Sequence, residues 1–406
     1  MTTRFDPSVL APDPEDRGRI LAWLEAGLAA VEPEALTARA LAPLAGTPAV
    51  VIAIGKAAAA MSRGAATILD VIGGVCVSDH VEPVPDTLRF MVGDHPVPGA
   101  ASLEAGAAVL EAVRAVPLST RIVALVSGGG SALCEAPREG VPPEYLSDAT
   151  KRLIAGGAAI EEMNLVRAHL SAIKCGGLSR EAGRAIETLV ISDVAGADPG
   201  VIASGPTIPG VHDPEMAAGI LTRMSIDLPD SVRAAMLVEP AALPYPEVVL
   251  LADGRDAARA VAAAAPAPAA IWEGWLRGDA EACLDRFLRD SGPGVTVGTG
   301  EVVLDMRGEG SGGRNTHTAL LAAARLTGSD DVFCAFATDG VDGGSGSAGA
   351  IVDGSTLRRG GDPTRSRDRF DSATYLAGTS DLLLCPPTGT NVSDVWILWR
   401  RRGARS

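Results

Sequence analysis

Short runs of apolar, β-branched residues recur along this chain, and each ends in a loop of glycine, hydroxyl or carboxylate residues. Ala49 to Ile54 (AVVIAI) leads into Gly55-Lys56, and Ile122 to Val126 (IVALV) into Ser127-Gly128-Gly129-Gly130-Ser131. Thr188 to Ile191 (TLVI) leads into Ser192-Asp193, and Val332 to Ala337 (VFCAFA) into Thr338-Asp339. Runs that are apolar throughout suit strands buried on both faces, as in a parallel sheet covered by helices. Helical stretches such as AAAAMSRGAATIL lie between them, so the sequence predicts an α/β fold. Ligands of open α/β sheets bind beyond the carboxyl ends of the strands. Four loops in that shared position therefore point to one site more strongly than any single motif does.

The 406 residues are too many for one average domain and suit two. With 47% hydrophobic residues there is enough apolar material for real cores, and the 47 glycines gather in clusters that read as ligand-facing loops. A formal net charge of −15 and only 3% aromatics exclude a nucleic-acid partner, which needs a basic face and stacking surfaces. A few local cations can still build an attractive pocket for a small anion. The basic run Arg400-Arg401-Arg402 reads as a frayed, solvated tail. Six cysteines (Cys76, Cys134, Cys175, Cys283, Cys334, Cys385) show no paired spacing for structural zinc. The N-terminus lacks an apolar signal core, and no apolar run reaches about 18 residues, so no membrane span is expected and a reducing cytoplasm is the default location.

Between the second and third strand runs a long helix is predicted over about Leu146 to Arg184, interrupted near Gly156-Gly157 and Gly176-Gly177. Met163, Val166, Leu170 and Ile173 fall on one of its faces. Asn164, Arg167, Ser171 and Lys174 form a neighbouring polar stripe, whose ordinary reading is a solvated face. The stretch from Pro229 to Pro246, rich in Pro, Ala and acidic residues, suggests a boundary dividing the chain into domains 1–240 and 241–406. A second α/β unit then opens with Val248 to Ala252, followed by an Ala-rich helix and a strand over Gly300 to Met306. A Gly-rich loop carrying Arg314, a helix from about Thr316 to Leu326, the strand Val332 to Ala337 and a closing GTNVSDVWILW complete it.

Lys56 sits near a helix start, where a cation opposes the macrodipole by roughly 0.3–1 kcal/mol. An anion bound there reverses that cost, since helix N-terminus and ammonium both attract it; the plain alternative is a lysine pointing into water. Arg314 presents the same geometry after Gly308-Glu309-Gly310-Ser311-Gly312-Gly313, and its planar fork suits a carboxylate or phosphate. The loop Ser127, Gly128, Gly129, Gly130, Ser131 offers successive N–H groups without side-chain obstruction, a nest for an anion. It is neither a Walker A sequence nor G-x-G-x-x-G. Asp193, at a strand end, can orient or deprotonate a hydroxyl or hold magnesium, or can simply cap a turn. Asp339 and Asp342, three apart among glycines, can hold Mg²⁺ or form ordinary Asp-Gly turns. The five histidines show no metal-ligand spacing; His95, in Gly93-Asp94-His95-Pro96, reads as structural.

These stretches together resemble the two-domain glycerate 2-kinases, whose C-terminal half carries a MOFRL-type region. The resemblance rests on AIGKAA (Ala53 to Ala58), GDHPVP (Gly93 to Pro98), SGGGSAL (Ser127 to Leu133), NLVRAHLSAIK (Asn164 to Lys174), and ISDV with SGPT (Ile191 to Val194, Ser204 to Thr207). It continues through GGRN (Gly312 to Asn315), ATDGVDG (Ala337 to Gly343) and PTGTNVSD (Pro387 to Asp394). It implies two α/β/α sandwich domains, the N-terminal one Rossmann-like, with the site in the interdomain cleft. It further implies ATP- and Mg²⁺-dependent phosphorylation of D-glycerate at its 2-hydroxyl. Lys56, Asp193 and Arg314 stand where the family's activity-linked residues stand. Arg167, Lys174 and Asn315 fall in its motifs as substrate- or phosphate-binding groups, and a homodimer is compatible with it. Three departures are visible: Thr316-His317 where Gln-Glu is usual, Cys175 where glycine is usual, and Ser393 where asparagine is usual.

On this reading Lys56 and Arg314 neutralise phosphate and carboxylate charge, the Ser127 to Ser131 loop binds an anion, and Asp193 serves the attacking hydroxyl. Two rivals stand beside it. A hydroxypyruvate reductase needs NAD(P)H, for which the dinucleotide fingerprint is missing. A non-catalytic anion-binding protein on the same fold would not need Lys56, Asp193 and Arg314 intact.

Overall fold

The computed structural model describes residues 4–5, 14–194, 196, 198–305, 308 and 310–401; Met306, Glu309 and Arg402 lie outside the described residues. The chain forms two compact units. One comprises Pro33–Ser192 and Gly196–Leu251; the other comprises the described residues up to Glu32, residues 193–194, and those from Ala252 onward.

The first unit is built on strands β1 (Pro48–Ile54), β2 (Asp70–Ser78), β3 (Arg89–Val92), β4 (Arg121–Val126), β5 (Glu187–Ile191) and β6 (Val248–Ala252). Their order across the sheet is β3-β2-β1-β4-β5-β6. All pairings among β1 to β5 are parallel, as unbroken apolar runs predict. The winding reverses between β1 and β4, whose residues pair from Ala49 with Arg121 to Ile54 with Val126. Ile52, Ile54, Val75, Val77, Val109 and Val126 close the main core of this unit. A satellite core of helices gathers Leu146, Leu153, Val166, Leu170 and Leu221. The run Val248 to Ala252, expected to open the second unit, instead lies at the edge of this first sheet as β6.

The predicted long helix is three helices, Pro143–Ala155, Ile160–Leu170 and Gly177–Glu181. The middle one ends when Ser171 turns to extended backbone at ψ 141°, so Ser171 and Lys174 share no helical face with Asn164 and Arg167. The solvated-stripe reading also fails. Arg167, Ser171 and Lys174 are all buried.

The second unit carries β7 (Ala269–Ile271), β8 (Gly294–Gly300), β9 (Val332–Ala337), β10 (Gly349–Asp353), β11 (Leu382–Leu383) and β12 (Asp394–Arg400). The order is β11-β10-β9-β12-β8-β7. This sheet is mixed: β7 and β8 pair in parallel, and the other described pairs are antiparallel. The strand expected over Gly300 to Met306 lies one step earlier, over the glycine-rich GVTVGTG. Glycine is a poor strand former in general, but a Cβ on Gly298 would stand 2.9 Å from Phe287, so packing selects glycine there. Trp396 on β12 is fully buried against Phe287 and Phe333 in edge-to-face contacts with centroids 5.8 and 5.7 Å apart. Such pairs add about 0.5–1.5 kcal/mol each to simple burial. The N-terminal helix Pro14–Ala30 packs against Gly254–Ala264. Its Gly27 permits this, because a Cβ there would stand 2.7 Å from Val261.

Candidate active site

In the first unit the turn after β1 and the loop after β4 are knitted together. Ser127 N–H donates to Ile54 O at 2.9 Å, Lys56 N–H donates to Gly128 O at 2.9 Å, and Ala57 N–H donates to Ser127 Oγ at 3.0 Å. Gly55 makes the crossing: its φ is +125°, and a Cβ would stand 2.3 Å from Ser127 Oγ and 2.5 Å from Ser127 O. Gly129 has φ +80°, and a Cβ there would meet the Lys56 stem at 3.2 Å and His95 at 3.7 Å. The half-buried Lys56 thus lies along the glycine nest at the point where the sheet's winding reverses, the position that favours ligands in such sheets. His95, read as structural from sequence, stands beside the same nest.

Ser131 closes the nest by hydrogen bonding Ser204 at 2.7 Å, and Ser204 donates to Asn164 Oδ1 at 2.8 Å. Ala203, Ser204 and Gly205 have φ of +51°, +59° and +58°. Two consecutive non-glycine residues in the left-handed region hold strain of about 1–3 kcal/mol each, a cost that clusters at functional sites. Below the nest lies a buried charge group. Lys174, 1% exposed, donates from Nζ to Cys134 O at 2.8 Å and stands 3.8 Å from Glu135 Oε2. Glu135, 0% exposed, accepts from the Ser171 hydroxyl and from Ala136 N–H. Burial holds the Lys174 ammonium below its ordinary pKa, against the pull of Glu135. Arg167, one helical turn beyond Asn164, is 6% exposed, and its Nε has no partner among the described residues. Burial lowers its pKa too, and Glu135 offsets part of that. A buried guanidinium with an unmatched donor is a group prepared for an anion.

In the second unit Arg314 is the first residue of the helix Arg314–Leu326. Its Nε and Nη2 donate to the two carboxylate oxygens of Asp394 at 2.6 and 3.3 Å, and Nη1 donates to Glu301 at 2.5 Å. Burial opposes the charge, but Asp394 and Glu301 outweigh it and raise the guanidinium's pKa. Asp342 is 1% exposed, and its two oxygens accept from the N–H groups of Asn315 and Thr316 at 2.9 and 2.8 Å. It therefore caps this helix from a distant loop. Asn315 is buried and accepts from the Trp396 indole at 3.4 Å. Asp339 accepts from Val341 N–H at 3.0 Å. Asp193 accepts at Oδ2 from Asn391 at 3.3 Å, and its carbonyl accepts from the Ser393 hydroxyl. The segment Asn391 to Asp394 thus holds both Asp193 and Arg314.

The structure gathers Lys56 with Ser127 to Ser131, and Arg167 with Lys174, in one unit. It gathers Asp193, Arg314 and Asn315 in the other. It does not make Asp339 and Asp342 a carboxylate pair: Asp342 is spent on the helix N-terminus, and no group of three or more His, Cys, Asp or Glu able to hold a metal occurs among the described residues. Sequence reasoning missed Glu135, Glu301, Asn391 and Asp394. Asn391 and Asp394 lay within a quoted motif, and Glu135 follows one closely, but nothing in spacing names the partner of a buried charge.

Family models match both parts of the chain: one described as Domain of unknown function (DUF4147) covers residues 19–237, and one described as MOFRL family covers residues 294–394. The D-glycerate 2-kinase of Thermotoga maritima is 36% identical over 375 residues, spanning 86% of this chain and 89% of that protein. This chain belongs to the two-domain glycerate 2-kinase family. The crystal structure of glycerate kinase from Thermotoga maritima matches it with a TM-score of 0.85 at 32% identity, covering 96% of this chain and 100% of that one. A protein of Agrobacterium vitis that carries a provisional hydroxypyruvate reductase name is 37% identical over 376 residues, 85% of this chain and 86% of its own. Two departures from the glycerate kinase motifs now have a physical reading. Cys175 has φ +48° and Ser393 has φ +74°. Both lie in the left-handed region, which favours the glycine and asparagine usual at these positions.

Proposed function

We propose that the chain phosphorylates D-glycerate at the 2-hydroxyl with ATP, giving 2-phosphoglycerate and ADP. The observation that carries this reading is Lys56 lying along the Gly129 nest at the switch point of the first sheet. Ammonium and unobstructed N–H groups there suit a phosphate oxyanion. In the transfer, the glycerate 2-oxygen forms a bond to the γ-phosphorus as the bond to the bridging β,γ-oxygen breaks, and ADP carries that electron pair away. Asp193, oriented by Asn391, takes the hydroxyl proton. Lys56 and Arg167 neutralise charge on phosphate and substrate carboxylate, with Lys174 fixing the floor beneath them. Arg314 holds its place through Asp394 and offers its remaining N–H groups to substrate.

Mg²⁺ we assign to the nucleotide's own phosphates, because Asp342 is committed to a helix cap. Such ions are commonly held by phosphates with one or two carboxylates. A cytoplasmic setting and a homodimer belong with the same reading. The test is ADP release from ATP and Mg²⁺ with D-glycerate, with the product identified as 2- or 3-phosphoglycerate. Formation of 2-phosphoglycerate, lost by roughly 10²-fold or more in a folded Lys56→Ala protein, is the expected result. Turnover retained without Lys56, or NADH oxidation with hydroxypyruvate in place of ADP release, overturns it.

A further inference from the structure

Elsewhere in the first unit, a cavity of about 300 Å³ is lined by Arg138, His169, Cys175, Arg180, Gly210 and His212, among others. Both arginines are half-buried, and among the described residues their guanidinium groups hydrogen-bond only backbone carbonyls. Arg138 Nη1 donates to Ala235 O and Val238 O, each at 3.4 Å; Arg180 donates to Cys175 O at 2.6 Å and Lys174 O at 3.3 Å. Among the described residues no carboxylate lies within 4.0 Å of either guanidinium. Burial, and then Arg180 itself, hold the Arg138 guanidinium below its ordinary pKa.

The rest of the lining adds two imidazoles and one carboxylate. His212 stacks on His169 with centroids 4.7 Å apart, and its Nε2 stands 3.4 Å from Glu239. The Glu239 side chain is 82% exposed, so this carboxylate stands at the rim of the cavity and not within it. Gly210, Val211 and His212 also belong to the lining, and no described group accepts from their backbone N–H groups. Two guanidinium forks, an imidazole and backbone donors around 300 Å³ match a compact dianion with oxygens on several sides, and arginine pairs bidentately with phosphate.

We propose that this cavity is a second anion site, which binds a small phosphate dianion, free or as a phosphomonoester. The site has a physical route to the nest. Arg180 grips the carbonyls of Lys174 and Cys175, while Cys175 and Gly176 donate to Ser204 O and Gly205 O at 2.9 and 2.7 Å. An anion competing for Arg180 loosens the segment that carries the strained Ser204 turn.

Inorganic phosphate is titrated calorimetrically into the full-length Lys56→Ala protein, which weakens the nest, and into the same protein carrying Arg138→Gln or Arg180→Gln. Saturable binding in the first, weakened about tenfold or more in both others (about 1.4 kcal/mol), is expected; Arg138→Lys retains most of it. No saturable binding in Lys56→Ala, or equal binding in the folded glutamine variants, overturns the proposal. Crystals of the unsubstituted protein soaked in phosphate decide independently of variant folding. Density between the two guanidinium groups supports the site, and density at the nest alone sinks it.

Discussion

Asp193 and Arg314 are held by one four-residue segment: Asn391 donates to the Asp193 carboxylate, and Asp394 accepts from Arg314 through both oxygens. Two groups, one from a loop and one from a helix start, therefore depend on the same stretch of backbone. Arg314→Ala leaves Asp394, 1% exposed, without its counter-charge. That should destabilise the fold by about 3–5 kcal/mol. Arg314→Lys keeps the charge and loses the fork, so it should melt near the parent while kcat/KM falls roughly tenfold or more. Paired melting curves and kinetics check this.

Gly55 should tolerate no side chain. In Gly55→Ala the new Cβ meets Ser127 backbone and hydroxyl at 2.3–2.7 Å, at a φ of +125°. The turn must then move, taking Lys56 off the nest. Turnover should drop by roughly 10²-fold even in protein that remains folded by circular dichroism.

Asp342→Ala tests the helix-cap assignment against the metal assignment. As a cap, its loss leaves the Asn315 and Thr316 N–H groups unpaired and should lower stability by about 1–3 kcal/mol. The Mg²⁺ concentration for half-maximal activity should stay where it is. A large rise in that concentration with unchanged stability would restore Asp342 as a ligand.

The Glu135–Lys174 pair should behave as a buried unit. Glu135→Leu or Lys174→Met alone should each cost about 3–5 kcal/mol, by leaving one buried charge unmatched, while the double variant recovers much of the loss. Urea denaturation of the four proteins gives the coupling energy directly.

His169 gives a pH signature. Its Nδ1 faces Leu165 O at 2.8 Å and its Nε2 accepts from Asp213 N–H at 3.1 Å, which requires the neutral ring. Burial, the main cause, lowers its pKa from 6.5. With a depressed folded-state value, its contribution is complete above pH 6.5 and is lost as pH falls through the lower folded-state pKa. Melting temperature should decline as pH falls from 6.5 to that lower value, and less steeply in His169→Gln.

Much of this molecule was legible in the chain itself. Unbroken apolar runs such as AVVIAI and IVALV determined buried parallel strands, because no alternating face was left for water. The loops after them put Lys56, the Ser127 to Ser131 nest and Asp193 at strand ends, where ligands of open α/β sheets bind. Helix electrostatics singles out Lys56 and Arg314, since a cation at a helix N-terminus is unfavourable without an anion. Tertiary structure alone decided the rest. Ser171 and Lys174 looked like a wet helical stripe, yet the helix stops at Leu170, and both residues turn inward to Glu135, since a buried charge is tolerable only beside a counter-charge. Asp342 looked like a metal ligand, and a helix N-terminus claimed it. Val248 to Ala252 reads equally well as a strand of either sheet, and only its position along β5 settles which. Local sequence sets backbone preference and apolar period; the partner of a charge, and the neighbour of a strand, lie far away in the chain and are chosen by packing.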